Sequence, residues 1–161
     1  MHAVRVTLLN LFLSAAVIAL AASAFWMDRF CPFSLPGNLI PAAWPLFFVG
    51  GYLIIWALLT LARTGGASGA PGDPPKKLVK TGPYAWMRNP IYFGDGLILT
   101  ALALYTSSPT MLVYTLLYGF AIERFVRWVE EPAVEKRFGD EYHKYKEDVP
   151  RWLPKVGRGR G

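Results

Sequence analysis

The stretch PIYFGDGLILTALALYTSSPTMLVYTLLYGFAIERFVRWV, residues 90–129, decides how this chain folds. From Ile91 to Ile122 it carries a single charge, Asp95, in 32 residues. A bilayer core takes about 20 apolar residues per helix, so the stretch is too long for one span and short for two generous ones. Ser107-Ser108-Pro109 supplies a break near its middle. Helices over about Pro90–Thr106 and Pro109–Val129 then make an antiparallel hairpin, whose two ends meet on one side of the membrane.

The residues before the hairpin extend the same pattern. Leu39–Ala62 is 24 residues without a charge, and Val6–Met27 is 22 more. Pro41 and Pro45 fall near the start of the second run, where a first helical turn tolerates proline. Arg5, the apolar run and Ala22-Ser23-Ala24 also fit a signal peptide, but the run is long for one and a retained helix is expected. Thr64–Pro75 is rich in Gly and Pro and reads as a flexible connector. The fold expected is an all-α integral membrane protein of about four transmembrane helices, the last two a hairpin, with a C-terminal interfacial amphipathic helix. It is one domain over residues 1–161. Residues 1–62 form two N-terminal spans, 63–89 a cytoplasmic connector, 90–129 the hairpin and 130–161 a C-terminal motif and tail.

Composition agrees. Of 161 residues, 53% are hydrophobic and 17% charged, which excludes disordered and collagen-like chains. The lone cysteine, Cys31, excludes an internal disulfide. With both termini placed inside, sixteen of the seventeen Lys and Arg fall on the cytoplasmic side, and only Arg29 falls outside. The net charge of +6 is thus a signal of multi-pass topology and of contact with anionic lipid headgroups. No nucleic-acid partner is expected, because the basic residues adjoin spans rather than a soluble recognition module.

Two polar, aromatic segments flank the hairpin: Leu78–Gly94, and Glu130–Tyr145 followed by Val149–Pro154. Asn89-Pro90 suits a helix start, since Asn caps and Pro opens helices. The same helix end, with its free N–H groups, also suits an anion. Arg88, Tyr92 and Asp95 share one helix face, so Asp95 is either paired locally with Arg88 or functional in its own right. Glu130-Glu131 closes the second hairpin helix, where the helix dipole disfavours acids unless Arg127 or a bound cation compensates. Val134, Phe138, Tyr142, Tyr145 and Val149 recur at three- and four-residue steps, as in a helix lying on a membrane. Gly139 weakens that helix locally. His2, His143 and Cys31 make no metal site, and no dinucleotide or Walker motif occurs.

Taken in order, Gly82-Pro83-Tyr84, Arg88-Asn89-Pro90-Ile91-Tyr92-Phe93-Gly94, the hairpin, Glu130-Glu131, Phe138-Gly139-Asp140-Glu141-Tyr142-His143-Lys144-Tyr145 and Val149-Pro150 carry a family likeness. They resemble the isoprenylcysteine carboxyl methyltransferases and their relatives among membrane phospholipid methyltransferases. The resemblance covers residues 76–154, half the chain, and its specificity lies in order and spacing. It implies S-adenosyl-L-methionine as cofactor, held by the cytoplasmic ends of the last two helices. The implied cofactor contacts are Lys77, Leu78, Val79, Tyr84, Asn89, Pro90, Ile91, Tyr92, Glu130 and Glu131. Arg88, Tyr92 and Arg127 are the implied catalytic residues. The family's substrate arginine would fall at Val126, so Arg124 and Arg127 are the candidates in its place. Asn89 stands where the family has His; it keeps hydrogen bonding but cannot titrate near neutrality.

The activity implied is methyl transfer to a lipophilic, membrane-resident acceptor. The sulfonium is already activated, so alignment is the main task, and the faces of Tyr84 and Tyr92 with Glu130 suit a cation. A carboxylate acceptor is ionised at neutral pH and needs no base, whereas an ammonium must first lose a proton. With no base evident, the carboxylate of a prenylated-cysteine-like molecule is favoured over a phospholipid amine. Tyr92-Phe93-Gly94-Asp95 also resembles membrane sterol reductases, which would imply NADPH. A non-catalytic lipid- or partner-binding module is the remaining alternative.

Overall fold

The computed structural model describes residue 19, residues 22–66 and residues 75–153. Most of the first apolar run lies outside these residues, and with it the choice between retained helix and signal peptide. Among the described residues all regular structure is helical. A segment α1 (residues 22–28) precedes α2 (Ile40–Thr60), which runs on into a π-helical turn, Leu61–Gly65. The expected hairpin is present as α3 (Pro90–Tyr105) and α4 (Pro109–Phe125). A second π-helical turn, Val126–Glu130, joins α4 to α5 (Glu131–Phe138), and α6 (Asp140–Asp148) follows.

Among the described residues one continuous helical stretch, Gly37–Gly65, is long and apolar enough to cross a membrane, at 29 residues. Helix α3 is apolar but has 16 residues, which at 1.5 Å per residue reach about 24 Å of a core about 30 Å thick. The outward faces are apolar. Phe48, Ile55 and Leu116 are each at least 60% exposed, a surface that suits lipid and not water.

Glycine sets how closely α2 and α3 lie. A Cβ on Gly94 would meet Ile54 Cγ1 at 2.6 Å and the Gly50 carbonyl oxygen at 2.9 Å. One on Gly50 would meet the Gly94 carbonyl oxygen at 2.8 Å. The two backbones therefore touch, the small-residue crossing by which membrane helices gain packing without a hydrophobic drive. Pro45 lies inside α2 rather than in its first turn.

The turn between α3 and α4 is tied down by short polar contacts. Ser108 caps α4 by accepting from the Met111 N–H at 2.9 Å, and Asp28 accepts from the Thr110 N–H at 3.1 Å. Burial opposes ionisation of Asp28, but hydrogen bonds from Ser108 and Thr110 outweigh it and hold the carboxyl below its ordinary range. Ala24 of α1 packs against Ala103 and Met111 under this turn.

At the other end of the hairpin the chain folds back on itself. Ala57, Val79 and Tyr84 form one buried cluster; Tyr142, Tyr145 and Val149 form a second, against Leu78, Val134 and Phe138. This corrects the expectation for the amphipathic stripe. Its tyrosines, 4% and 5% exposed, face the connector and not a lipid surface. The helix also breaks at Gly139, where φ is +52°, a conformation costly for residues with a Cβ.

Candidate active site

The connector, the start of α3 and the π-helical turn after α4 meet at the motif end of the hairpin. Arg88 is the hub. Its Nη2 donates to Glu131 Oε1 at 2.7 Å, and its Nη1 donates to the carbonyls of Lys146 and Val149 at 3.2 and 3.1 Å. Its backbone N–H donates to the Pro150 carbonyl at 2.9 Å. Arg151 completes the cluster, giving Nε and Nη2 to Glu131, both at 2.8 Å, and Nη1 to Glu123 at 2.9 Å. Trp152 Nε1 donates to the other Glu123 oxygen at 2.6 Å. Two arginines thus share one buried carboxylate. Burial alone would raise the Glu131 carboxyl, but hydrogen bonds from Arg151 and the charges of Arg88 and Arg151 hold it below its ordinary range.

Glu130, next in the chain, is in the opposite condition. The Tyr92 hydroxyl donates to its carboxylate, while its Oε2 is enclosed with no hydrogen-bond partner. Burial pushes this carboxyl up, Tyr92 pulls it partly back, and the Glu131 charge pushes it up further. Tyr84 is buried nearby; its hydroxyl is raised by burial first and by the charges of Tyr145 and Glu130 after that. Its carbonyl accepts from Tyr145 Oη at 2.6 Å, which ties α6 to the connector. A second orphan is Arg88 Nε, enclosed and unpaired. The site therefore holds one buried acceptor lacking a donor and one buried donor lacking an acceptor, each costing about 1–3 kcal/mol while unmet.

Several local expectations change in this light. Asn89 sits at the N-cap position of α3 without a side-chain cap; its Nδ2 donates instead to the Arg151 carbonyl at 3.3 Å. Arg88 pairs across the fold with Glu131, so it does not satisfy Asp95, which accepts from Tyr118 Oη at 3.1 Å. The Glu pair does not end a helix, because the chain continues through Val126–Glu130 into α5. Cationic compensation reaches Glu131 alone, from Arg88 and Arg151. Arg127 turns back to Glu123 at 2.6 Å, and Arg124 lies over the rings of Phe120 and Trp128, both arginines on an exposed surface.

Tyr84, Arg88, Asn89, Tyr92, Glu130 and Glu131 are thus brought together. Pro90 is fully buried and Ile91 packs on the Ala57–Val79–Tyr84 cluster. Leu78 packs on the tyrosines of α6, while Lys77 is exposed. Sequence reasoning missed Glu123 and Arg151. The one available signal was an arginine directly after Val149-Pro150, facing an otherwise uncompensated pair of acids. A cavity of about 410 Å³, lined by Trp44, Phe47, Leu102 and Tyr105 among others, lies at the hairpin-turn end of α2 and α3. It is about 15 Å along the helix from Tyr92 at 1.5 Å per residue, apart from the polar cluster.

Comparison with known proteins supplies the context for this arrangement. The family model for phospholipid methyltransferases matches residues 40–141, more than half of the chain, from the start of α2 into α6. An uncharacterized protein of Haemophilus influenzae is 37% identical over 63 residues, which is 39% of this chain and all of that one. In structure, the chain is similar to a eukaryotic intramembrane Ras methyltransferase, an isoprenylcysteine carboxyl methyltransferase. The TM-score is 0.63 at 21% identity, over 89% of this chain. The chain spans about half of that enzyme, 52% of its length. At that identity the likeness is one of fold. The match over α2, the hairpin and the Glu pair places the chain in the phospholipid methyltransferase family.

Proposed function

We propose that the protein uses S-adenosyl-L-methionine to methylate a lipophilic acceptor that reaches it through the bilayer. The observation that carries this reading is the pair of orphans. A sulfonium or ammonium suits the unpaired Oε2 of Glu130, and a carboxylate suits the unpaired Nε of Arg88. The methionyl part of this cofactor bears all three groups, so the residues present fit it. Glu130 would hold the positive charge, Tyr92 orients Glu130, and Tyr84 lends an aromatic wall. Arg88 acts chiefly by position, since Glu131 and two carbonyls take its terminal nitrogens. When bound, the cofactor supplies an activated methyl group, and the chain's task is alignment.

The topology proposed with this function puts both termini and the motif end in the cytoplasm, following the basic residues. For the acceptor, the preference for a carboxylate rested on the want of a base. The pairing of Arg88 with Glu131 leaves Asp95, one turn from Tyr92 in α3, without the local partner considered for it, and on that ground we favour a lipid amine as acceptor. The test is transfer of labelled methyl to lipids. Purified protein, methyl-labelled S-adenosylmethionine and vesicles of an amine-headgroup phospholipid should yield labelled phospholipid. Label appearing only on a prenyl-thioether carboxylate would restore that acceptor. No transfer together with NADPH binding would move the assignment to the reductase alternative.

A further inference from the structure

The pair formed by Asp95 and Tyr118 lies outside the cluster described above and has no task in it. Tyr118 Oη, on α4, donates to Asp95 Oδ2, on α3, at 3.1 Å. Asp95 sits three residues beyond Tyr92, about one turn further into the helix and on the same face. Both partners are half-buried. The Arg88 side chain, the cation expected to neutralise Asp95, is committed to Glu131. Helix α2, packed against α3, carries no charged residue between Ile40 and Thr60, and its one tyrosine, Tyr52, lies with its ring 5.8 Å from that of Trp56. On α4, Glu123 is taken up by Arg127, Arg151 and Trp152, and Arg124 lies over Phe120 and Trp128. Among the described residues Asp95 therefore has the Tyr118 hydroxyl as its hydrogen-bond partner, the Tyr92 hydroxyl near it on the same helix, and no ion pair.

A carboxylate in a membrane helix is costly, and where it persists it pairs with another polar group or marks a substrate or proton path. An interhelical hydrogen bond alone does not call for one, because Asn or Ser would accept from Tyr118 without the charge. Resting on the reading of the chain as a lipid methyltransferase, we propose that Asp95 is the residue that recognises the acceptor, by pairing with the protonated amine of its headgroup. Tyr118 holds the carboxylate in place between the helices. Asp95 then takes one proton from that ammonium: an N–H bond breaks, an O–H bond forms, and the electron pair stays on nitrogen. The proton passes to water when the product leaves. A free carboxylate acceptor would be repelled by the same residue, so Asp95 also sets specificity.

The test is equilibrium binding of the cofactor-free protein to mixed micelles carrying an amine-headgroup phospholipid, compared with the same lipid N-acetylated. Wild type should prefer the amine by about tenfold or more, the scale of one charge-assisted hydrogen bond. Asp95→Asn keeps an acceptor for Tyr118 and should bring that preference close to unity. Its thermal unfolding and its affinity for S-adenosylmethionine should stay as in wild type. Asp95→Glu should recover part of the preference. A preference unchanged in Asp95→Asn, or absent in wild type, overturns the proposal and leaves the pair as helix glue. Should Asp95→Asn fail to fold, Tyr118→Phe removes the hydroxyl that holds the carboxylate and should lower the preference for the amine severalfold; a preference unchanged there would count equally against the proposal. Failure of wild type to bind S-adenosylmethionine would instead overturn the methyltransferase reading, and the micelle comparison reads Asp95 independently of that.

Discussion

Burial pushes the Glu130 carboxyl upward, while at Glu131 the neighbouring arginines outweigh burial and pull it down. These directions have opposite consequences for stability. A group raised on folding contributes stability at low pH and loses it as pH rises through its folded value, so ionised Glu130 is a cost near neutrality. Glu130→Gln should leave the cofactor-free protein as stable as wild type or more so, measured by thermal unfolding in detergent. Glu131 contributes above its ordinary range, and that contribution fades as pH falls through its lowered value. Removing the charge leaves Arg88 without its counter-charge and Arg151 with Glu123 alone, and their side chains are 10% and 21% exposed. Breaking such a buried pair costs about 3–5 kcal/mol, so Glu131→Gln should unfold at markedly lower temperature. At this scale the residue types were legible in the sequence and their partners were not. Arg88 could be placed on a face with Asp95, but its bond to Glu131 spans 43 positions, and helical periodicity carries no information across such a distance.

Elements were more legible, because hydrophobic period and proline fix where helices begin. The hairpin came from one apolar run and one Ser-Ser-Pro break, and α3 and α4 start at Pro90 and Pro109 as expected. What could not be read was the contact between elements. Gly50 and Gly94 look like ordinary membrane glycines, yet they are where α2 and α3 meet backbone to backbone. Gly94→Ala should separate the helices, at a cost of about 1–3 kcal/mol for overpacking. The check is loss of thermal stability without loss of helical circular dichroism. The stripe on α5 and α6 misled for a related reason. An apolar face on an amphipathic helix shows that something covers it, and here the cover is Leu78 and the connector rather than lipid. Tyr145→Phe should test that seat. It strands the Tyr84 carbonyl, now bonded at 2.6 Å, and should cost about 1–3 kcal/mol, the penalty of a buried unsatisfied acceptor.

For the molecule as a whole, the basic residues predict the side on which each loop lies. Reporter fusions at residues 34, 70, 108 and 161 should read outside, inside, outside, inside; an external signal at 70 or 161 would count against the cytosolic placement of the motif segments proposed above. Family likeness was legible in the sequence because motif order survives when individual residues, such as Asn89, depart from the pattern. The reason the motifs lie where they do became visible only with the fold. An up-and-down hairpin returns Glu130 to Tyr92, and a π-helical turn presents it there, of the kind often found at functional sites. The central claim is that this buried carboxylate holds a cationic cofactor. The measurement that bears on it most directly is calorimetry of S-adenosylmethionine binding to wild type and Glu130→Gln, with S-adenosylhomocysteine as competitor. Binding should be weaker in the variant by about 1–3 kcal/mol, the scale of a charge-assisted hydrogen bond. It should also weaken in wild type as acid protonates Glu130. Equal affinity in wild type and in a folded Glu130→Gln would contradict the account.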